Sequence, residues 1–488
     1  MDSSRHTDRG AVLVVRNLRT SVEGFATSGS RPTIRSEAAV YFSKSLIRLA
    51  ASLQENRAIP TVNMAYNWKG ATTAEDVVKR LGMNWNEEQR QQYINNIKVV
   101  ELKRLREPYP TDDYFMATTE AGKDHWDRFW YQRRTKDKRY NGGKRREVHV
   151  LDESKLQYTI PQDESVIFRD ADTKEIFMVI LRNFFPDDQL RMDMVDTCRW
   201  ILKYRRDDRR EDPGQLVHFG YTCGSRHDPG MDLARNRRKI TDREHKELNN
   251  AAQGMAGIGW NMLRGRMPQF IIDDYNNTIK SIPGCPRMDM RKTKELRRTK
   301  KEREMAEGVD NTFSYEVDGC NITFNKSGDL ELPPPSGLAG YNYARFTHQE
   351  NNGNEWFVAV TCIAADDPSI GGNFYNASYG IMMLAASNTI SAFKPTDFHG
   401  TTLFEMVVPD GVYDTNDPRW QLDGRESRPD GGENIGFAFE VSKGLKYAKR
   451  KGDEKVANKP GRGGKRIRRT VYGADPVSDP DSDGDYRP

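Results

Sequence analysis

Asn342-Tyr343-Ala344-Arg345-Phe346-Thr347-His348-Gln349-Glu350-Asn351-Asn352-Gly353 is the stretch on which the reading of this chain turns. It sets an imidazole and a carboxylate two residues apart, just before the apolar run Trp356-Phe357-Val358-Ala359-Val360-Thr361-Cys362-Ile363. In extended backbone, side chains at i and i+2 share a face, so His348 and Glu350 project on one side of the chain. A second histidine, His399, stands fifty-one residues further on, after the run Thr389-Ile390-Ser391-Ala392-Phe393 and the short turn 394–398. Two histidines and one carboxylate on one face of a metal leave the opposite positions open, the facial arrangement of non-haem Fe(II) oxygenases. An H-x-E pair alone, or a lone histidine alone, is more often an ordinary core or surface feature. The ordered string is what carries the signal.

Outward from this stretch, residues 311–442 alternate short apolar runs with Gly, Pro, Asn and Asp. That pattern predicts a sandwich or double-stranded barrel. Upstream, SVIFRDADTKEIFMVILRNFF (165–185) reads as a hairpin, and helical periodicity follows over 187–206 and again over 241–265. Residues 36–130 read as helical. Val40, Leu46, Ile47 and Leu49 form one stripe, and two more helices are expected across 73–105. The expected organisation is a disordered leader (1–35), a helical region with a basic linker (36–150), a domain over 160–445 with its β core at 311–442, and a disordered tail (446–488) that is basic and then acidic.

Composition sets the bounds. Of 488 residues, 36% are hydrophobic and 30% charged, with 20 Tyr, 20 Phe and 8 Trp. So many aromatics exclude wholesale disorder. No run of 18 apolar residues exists, so a membrane span is not expected, and the N-terminus lacks an apolar run of signal-peptide type. Five cysteines, widely spaced and without CxxC, read as free thiols in a reducing compartment. The net charge of +5 conceals three basic blocks, 133–146, 291–303 and 443–469, which together hold +23 and leave the rest at −18. Such segregation suits a polyanionic partner, whereas a single block taken alone is more often a solvated linker or helix face.

The order H-x-E, strand, loop with Gly371-Gly372, hairpin, then His399-Gly400 resembles the double-stranded β-helix of 2-oxoglutarate- and Fe(II)-dependent dioxygenases. Within that superfamily the chain resembles the TET/JBP nucleobase dioxygenases, in particular the divergent group found in mushroom-forming fungi. The stretch 342–353 and Lys394-Pro395-Thr396-Asp397-Phe398-His399-Gly400-Thr401-Thr402-Leu403 carry the likeness, with Asp170–Phe185 and Gly220–Arg226 adding to it. The resemblance implies an α+β fold: a double-stranded β-helix (jelly-roll) core with flanking helices and an N-terminal helical region. It implies oxidation of 5-methylcytosine, thymine or N6-methyladenine in nucleic acid, with 2-oxoglutarate as cosubstrate and Fe(II) on His348, Glu350 and His399. Three departures stand out. Glu350 replaces the usual Asp, no Cys-rich zinc module precedes the domain, and Asn434 stands where the family has the arginine that pairs with the far carboxylate of 2-oxoglutarate. Arg428 is the expected substitute, with Arg425 and Arg419 behind it.

Other signals have blander readings. His218, Cys223 and His227 lie within ten residues but lack a fourth ligand and finger spacing. GMAGIGW (254–260) is glycine-rich without the context of a dinucleotide loop. Tyr341, Tyr343, Phe346, Trp356 and Phe357 could stack on a base, although aromatics in a β-rich core usually pack. Lys449-Arg450-Lys451 and Lys465-Arg466-Ile467-Arg468-Arg469 read as a bipartite nuclear signal or as phosphate contacts. The expected partner is DNA rather than RNA, without a membrane, in the nucleus. The alternatives are a catalytically inactive nucleic-acid-binding relative and a dioxygenase of small molecules or proteins.

Overall fold

The computed structural model describes residues 73–120, 122–124, 126–127, 146–205, 209, 212–225, 228–234, 236, 240–289, 313–317, 319–325, 329–404 and 432–457, all within one compact unit, Met64–Pro488. The chain enters through helices Ala74–Leu81 and Glu87–Asn95, each opened by a capping box, at Thr73 with Asp76 and at Asn86 with Gln89. Strands β1 (Lys98–Leu102), β2 (Phe115–Ala117), β3 (Val148–Val150) and β4 (Tyr158–Ile160) lead to the hairpin β5 (Val166–Asp170) and β6 (Ile176–Arg182). Asp170 Oδ1 builds the turn of that hairpin by accepting from the amides of Asp172 and Thr173. Helix Asp188–Tyr204, capped by Asp187, precedes β7 (Gln215–Ser225) and β8 (Asp228–Leu233). Helices Asp242–Arg266 and Gln269–Lys280 come next. The hairpin β9 (Phe313–Val317) and β10 (Cys320–Phe324) then leads to β11 (Ser336–Tyr341) and β12 (Phe357–Ile363). Strands β13 (Phe374–Asn376), β14 (Ile381–Met383), β15 (Thr389–Phe393), β16 (His399–Thr401) and β17 (Ile435–Glu440) complete the sheets.

The fold is mixed α/β. A nine-stranded sheet runs β1-β5-β6-β15-β12-β17-β11-β7-β8, and a four-stranded sheet runs β16-β13-β14-β4. Alternation along the strands sorts residues between two interiors. Val358, Val360, Cys362, Ile390, Ala392, Phe437 and Phe439 join the core shared with helices Asp188–Tyr204 and Asp242–Arg266. On the opposite face, Phe168, Met178, Ile180 and Phe393 meet Ile160, Ile381 and Met383 of the small sheet. In the middle of that second face the alternate positions are Ala359, Thr361, Ser391, Gly436, Ala438 and Gly340.

The glycine-rich segment 254–260 has a packing role. It lies buried in helix Asp242–Arg266, and a Cβ on Gly254 would fall 2.1 Å from the Tyr315 ring. Gly254→Ala is therefore expected to cost about 1–3 kcal/mol through overpacking, read as a lower urea midpoint. An unchanged midpoint would mean that the ring swings clear.

Several expectations need correction. Lys98–Leu102 is a strand paired parallel to β5, not part of a helix. β-branched Val99-Val100 suits the edge of a sheet better than the charged helix expected there. The large sheet also recruits β1 and β5–β8, so the β structure reaches well beyond 311–442. The chain does not become irregular at 446. Gly444–Ala457 is a helix that seats Leu445 and Ala448, both fully buried, against β7 and β8. The expected leader, first helix (36–56), linker core (131–145), charged block 291–306 and the tail beyond 457 lie outside the described residues. No described helix is long and apolar enough to cross a membrane.

Candidate metal centre

After β11 the chain leaves the large sheet and crosses to the free edge of the small one. There His348 and His399 form an antiparallel bridge, each amide donating to the other's carbonyl at 2.9 Å. The Glu350 amide donates to the Pro395 carbonyl at 2.8 Å, which continues the pairing. On the other flank of β16, Asn376 faces His399 and Phe374 faces Thr401. Gly371-Gly372 turns through φ of +97° and +74°, and a Cβ at Gly371 would lie 2.0 Å from the Leu403 carbonyl oxygen. The glycine pair thus lets its loop lie against the segment that follows His399.

This backbone brings the three side chains together. One ligand atom from each of His348, Glu350 and His399 lies within 4.8 Å of the other two. The imidazole centroids are 4.4 Å apart, and His348 Nε2 is 3.3 Å from Glu350 Oε1. Both histidines are oriented alike. Nδ1 of His348 meets the Phe346 carbonyl and Nδ1 of His399 meets the Asp397 carbonyl, each at 2.8 Å. A carbonyl can only accept, so each Nδ1 is the donor and each Nε2 of a neutral ring is left with its lone pair. Nε2 and Oε1 are then two acceptors facing one another, and a proton or a metal cation must lie between them. Groups bonded at about 2.1 Å and at right angles on one metal sit about 3 Å apart, close to the 3.3 Å seen here.

Electrostatics favours the ligating forms. Burial, and then the neighbouring His348, push the His399 pKa down to about 3. His399 is therefore neutral at physiological pH and has no proton to lose on binding a metal. Burial alone would raise Glu350, but the His348 contact and the Arg345 and Arg209 guanidiniums outweigh it and hold the carboxyl well below its usual range. A donor set of two imidazole nitrogens and one ionised carboxylate fits a divalent transition metal.

The arginines are the part that sequence reading missed. Arg209 Nη2 lies 3.3 Å and Arg345 Nη1 3.6 Å from Glu350 Oε1, and Arg345 also lies 3.7 Å from Asp212 Oδ2. Tyr343 donates to the same Asp212 oxygen at 2.8 Å. Arg345 stands three residues before His348, which in regular strand pairing would place it on the opposite face. Arg209 lies in the run RRDDRRE, which reads as solvated. Of the proposed 2-oxoglutarate contacts, Arg419, Arg425 and Arg428 lie outside the described residues. Asn434 exchanges hydrogen bonds with Asn342 at the start of β17.

The aromatics divide. Tyr341 and Trp356 belong to the helix-side core. Phe346 is buried beside His348, with Arg146 3.4 Å above its ring, and Phe357 packs on Phe393. His218 sits on β7 opposite Leu338, Cys223 Sγ contacts Ser442 Oγ at 3.3 Å, and His227 lies outside the described residues. All five cysteines are free. Among the described residues, His348, Glu350 and His399 are the one group placed to share a metal.

No family model matches the chain, and no curated protein does. Among solved structures it is similar to NgTET1 in complex with 5mC DNA, at 10% identity and a TM-score of 0.34 over 59% of this chain and 79% of that one. It is also similar to an oxidoreductase of the 2OG-Fe(II) oxygenase family from Burkholderia pseudomallei, at 10% identity and a TM-score of 0.25 over 54% and 84%. Overlap this loose leaves the geometry of the site to carry the functional reading.

Proposed function

We propose that this chain is a nuclear Fe(II)- and 2-oxoglutarate-dependent dioxygenase that oxidises a methylated base in nucleic acid, DNA in preference to RNA, on a double-stranded β-helix core. The observation that carries the reading is the convergence of one ligand atom from each of His348, Glu350 and His399 within 4.8 Å. Ferrous iron held by His348, Glu350 and His399 would supply the oxidising chemistry together with 2-oxoglutarate and dioxygen. The chain's own part is positional. The carbonyls of Phe346 and Asp397 fix the rings, and the arginines help keep Glu350 ionised. A base stacked in a duplex cannot reach a site between two sheets, so the nucleotide must be extruded. Phe346, Phe374 and Phe393 pack against the two histidines and are the aromatics such a base would meet.

A second reading, a nucleic-acid-binding relative without turnover, is favoured by one observation. Asn434 stands where the resemblance implies arginine, and it hydrogen-bonds Asn342 instead. Incubating methylated DNA and RNA with the protein, Fe(II) and 2-oxoglutarate, followed by mass spectrometry of the nucleosides, separates the two. Gain of one oxygen on the methylated nucleoside is the expected result. Succinate production with every nucleoside unchanged would move the substrate outside nucleic acid, and no succinate at all would favour the binding protein.

A further inference from the structure

We propose that Arg104, on the segment that follows β1, is a positioning residue for His399: its guanidinium holds the Asp397–Phe398 peptide plane, whose carbonyl fixes the imidazole. This rests on the reading above that His399 holds a metal, and it names the group that sets how this ligand faces the metal.

A planar trans peptide presents its carbonyl and its amide on opposite edges. In the Asp397–Phe398 unit the carbonyl accepts from His399 Nδ1 at 2.8 Å, and the amide donates to Ser378 Oγ, also at 2.8 Å. Rotating that plane breaks both bonds. Arg104 reaches the unit from each side. Its Nη1 lies 2.6 Å from Asp397 Oδ1, and its Nη2 donates to Ser378 Oγ at 3.2 Å. One rigid fork thus ties the residue that owns the carbonyl to the hydroxyl that holds the amide. The place of Arg104 is itself set by main chain, since the amides of Leu105 and Tyr109 donate to the carbonyls of Ser378 and Ala377, each at 2.9 Å. The guanidinium carbon also lies 5.4 Å from the centre of the Tyr379 ring.

The neighbouring carbonyls are held by other groups, Thr396 by Gln349 Nε2 at 2.6 Å and Phe398 by the Ala377 amide at 2.7 Å. The plane between them is the one that leans on Arg104. Without the guanidinium, the Asp397 carboxylate, at a side chain only 5% exposed, is left buried and without its cation. Turning it toward water draws on the same short turn, 394–398, and tilts the carbonyl away from Nδ1. Freed from that acceptor, the ring can carry its proton on either nitrogen, and Nε2 is no longer reserved for a metal. His348 supplies a built-in contrast, because its Nδ1 meets the Phe346 carbonyl and Arg104 contacts neither residue.

The test reads the imidazole nitrogens directly, in the metal-free full chain labelled with 15N-histidine. Only eight histidines contribute signals, and His348→Gln and His399→Gln assign the two that matter. In the parent, His399 is expected to show the pattern of a proton on Nδ1. In Arg104→Ala, at a side chain 49% exposed, that pattern should move toward a mixture of the two tautomers while the His348 signals stay in place. Arg104→Lys keeps the ion pair but not the fork, and should fall between parent and Arg104→Ala. Ser378→Ala removes the hydroxyl under the amide and should move His399 the same way, which decides the matter if Arg104→Ala does not fold. Mn(II) affinity, followed by electron paramagnetic resonance, should weaken about tenfold in Arg104→Ala, the lower end of what loss of an outer-shell partner costs. His399 signals that ignore both Arg104→Ala and Ser378→Ala overturn the positioning role, and so does a shift of both histidines together, which is general loosening. The expected shift of His399 in a parent that binds no Mn(II) upholds the positioning role and overturns the metal site instead.

Discussion

His399→Ala is expected to lower Fe(II) affinity by more than about a hundredfold while the domain stays folded. Losing even an outer-shell partner of a metal ligand typically costs 10–100-fold, and this change removes one of three ligands. The backbone bridge to His348 uses only main-chain atoms of residue 399, so it survives the substitution. What the fold loses is the packing of a buried ring against Phe393 and Phe374, at centroid distances of 4.9 and 6.1 Å. Truncating a buried side chain of this size costs about 2–4 kcal/mol, enough to lower the melting temperature without unfolding the protein. Anaerobic equilibrium dialysis against Fe(II) reads the affinity, and circular dichroism reads the fold. A folded His399→Ala protein that retains iron as well as the parent would place the metal elsewhere.

The three side chains of this site could be read from the sequence for a physical reason. An H-x-E pair follows the period of two of extended backbone, but the hairpin expected ahead of His399 does not form: β14 joins the small sheet and β15 the large one, and His399 returns alongside His348 through β16. The hairpin 165–185 was equally legible, because Asp170 heads a turn whose chemistry is local. The strand Lys98–Leu102 was not. Its partner β5 lies more than sixty residues away, and only that partner distinguishes it from the end of a helix. Arg345 was on the page in the very stretch quoted, yet its role depends on the irregular backbone between β11 and His348, where period-two reasoning fails. Arg209 and Asp212 meet it from a charged segment with no periodicity at all. Pairwise electrostatics across distant segments is what a linear reading cannot supply.

The same limit governs the C-terminal basic block, which the sequence presents as one unit and the structure divides. Ending the chain after Ser442 would expose the surface covered by Leu445 and Ala448, so that truncation tests folding rather than nucleic-acid contact. The informative cut falls after Ala457. Residues 459–469 then carry six lysines and arginines with no acid, and five aspartates follow between 475 and 485. If the six basic residues each meet a phosphate, their removal should flatten the slope of log K against log salt by about 5 for duplex DNA, at about 0.9 per contact. Between 50 and 200 mM salt that corresponds to roughly a thousandfold change in affinity lost with the segment. If the acidic stretch competes with DNA for these basic residues, ending the chain at Thr470 instead is expected to strengthen binding at low salt. Succinate production should be unchanged in both truncations, because none of these residues belongs to the ligand set. Fluorescence anisotropy with a labelled duplex across a salt series measures the slopes. A slope that stays the same after the cut at Ala457 would show that the segment does not touch the phosphates, and any basic contact would then fall to the folded domain, where Arg450 on helix Gly444–Ala457 is exposed.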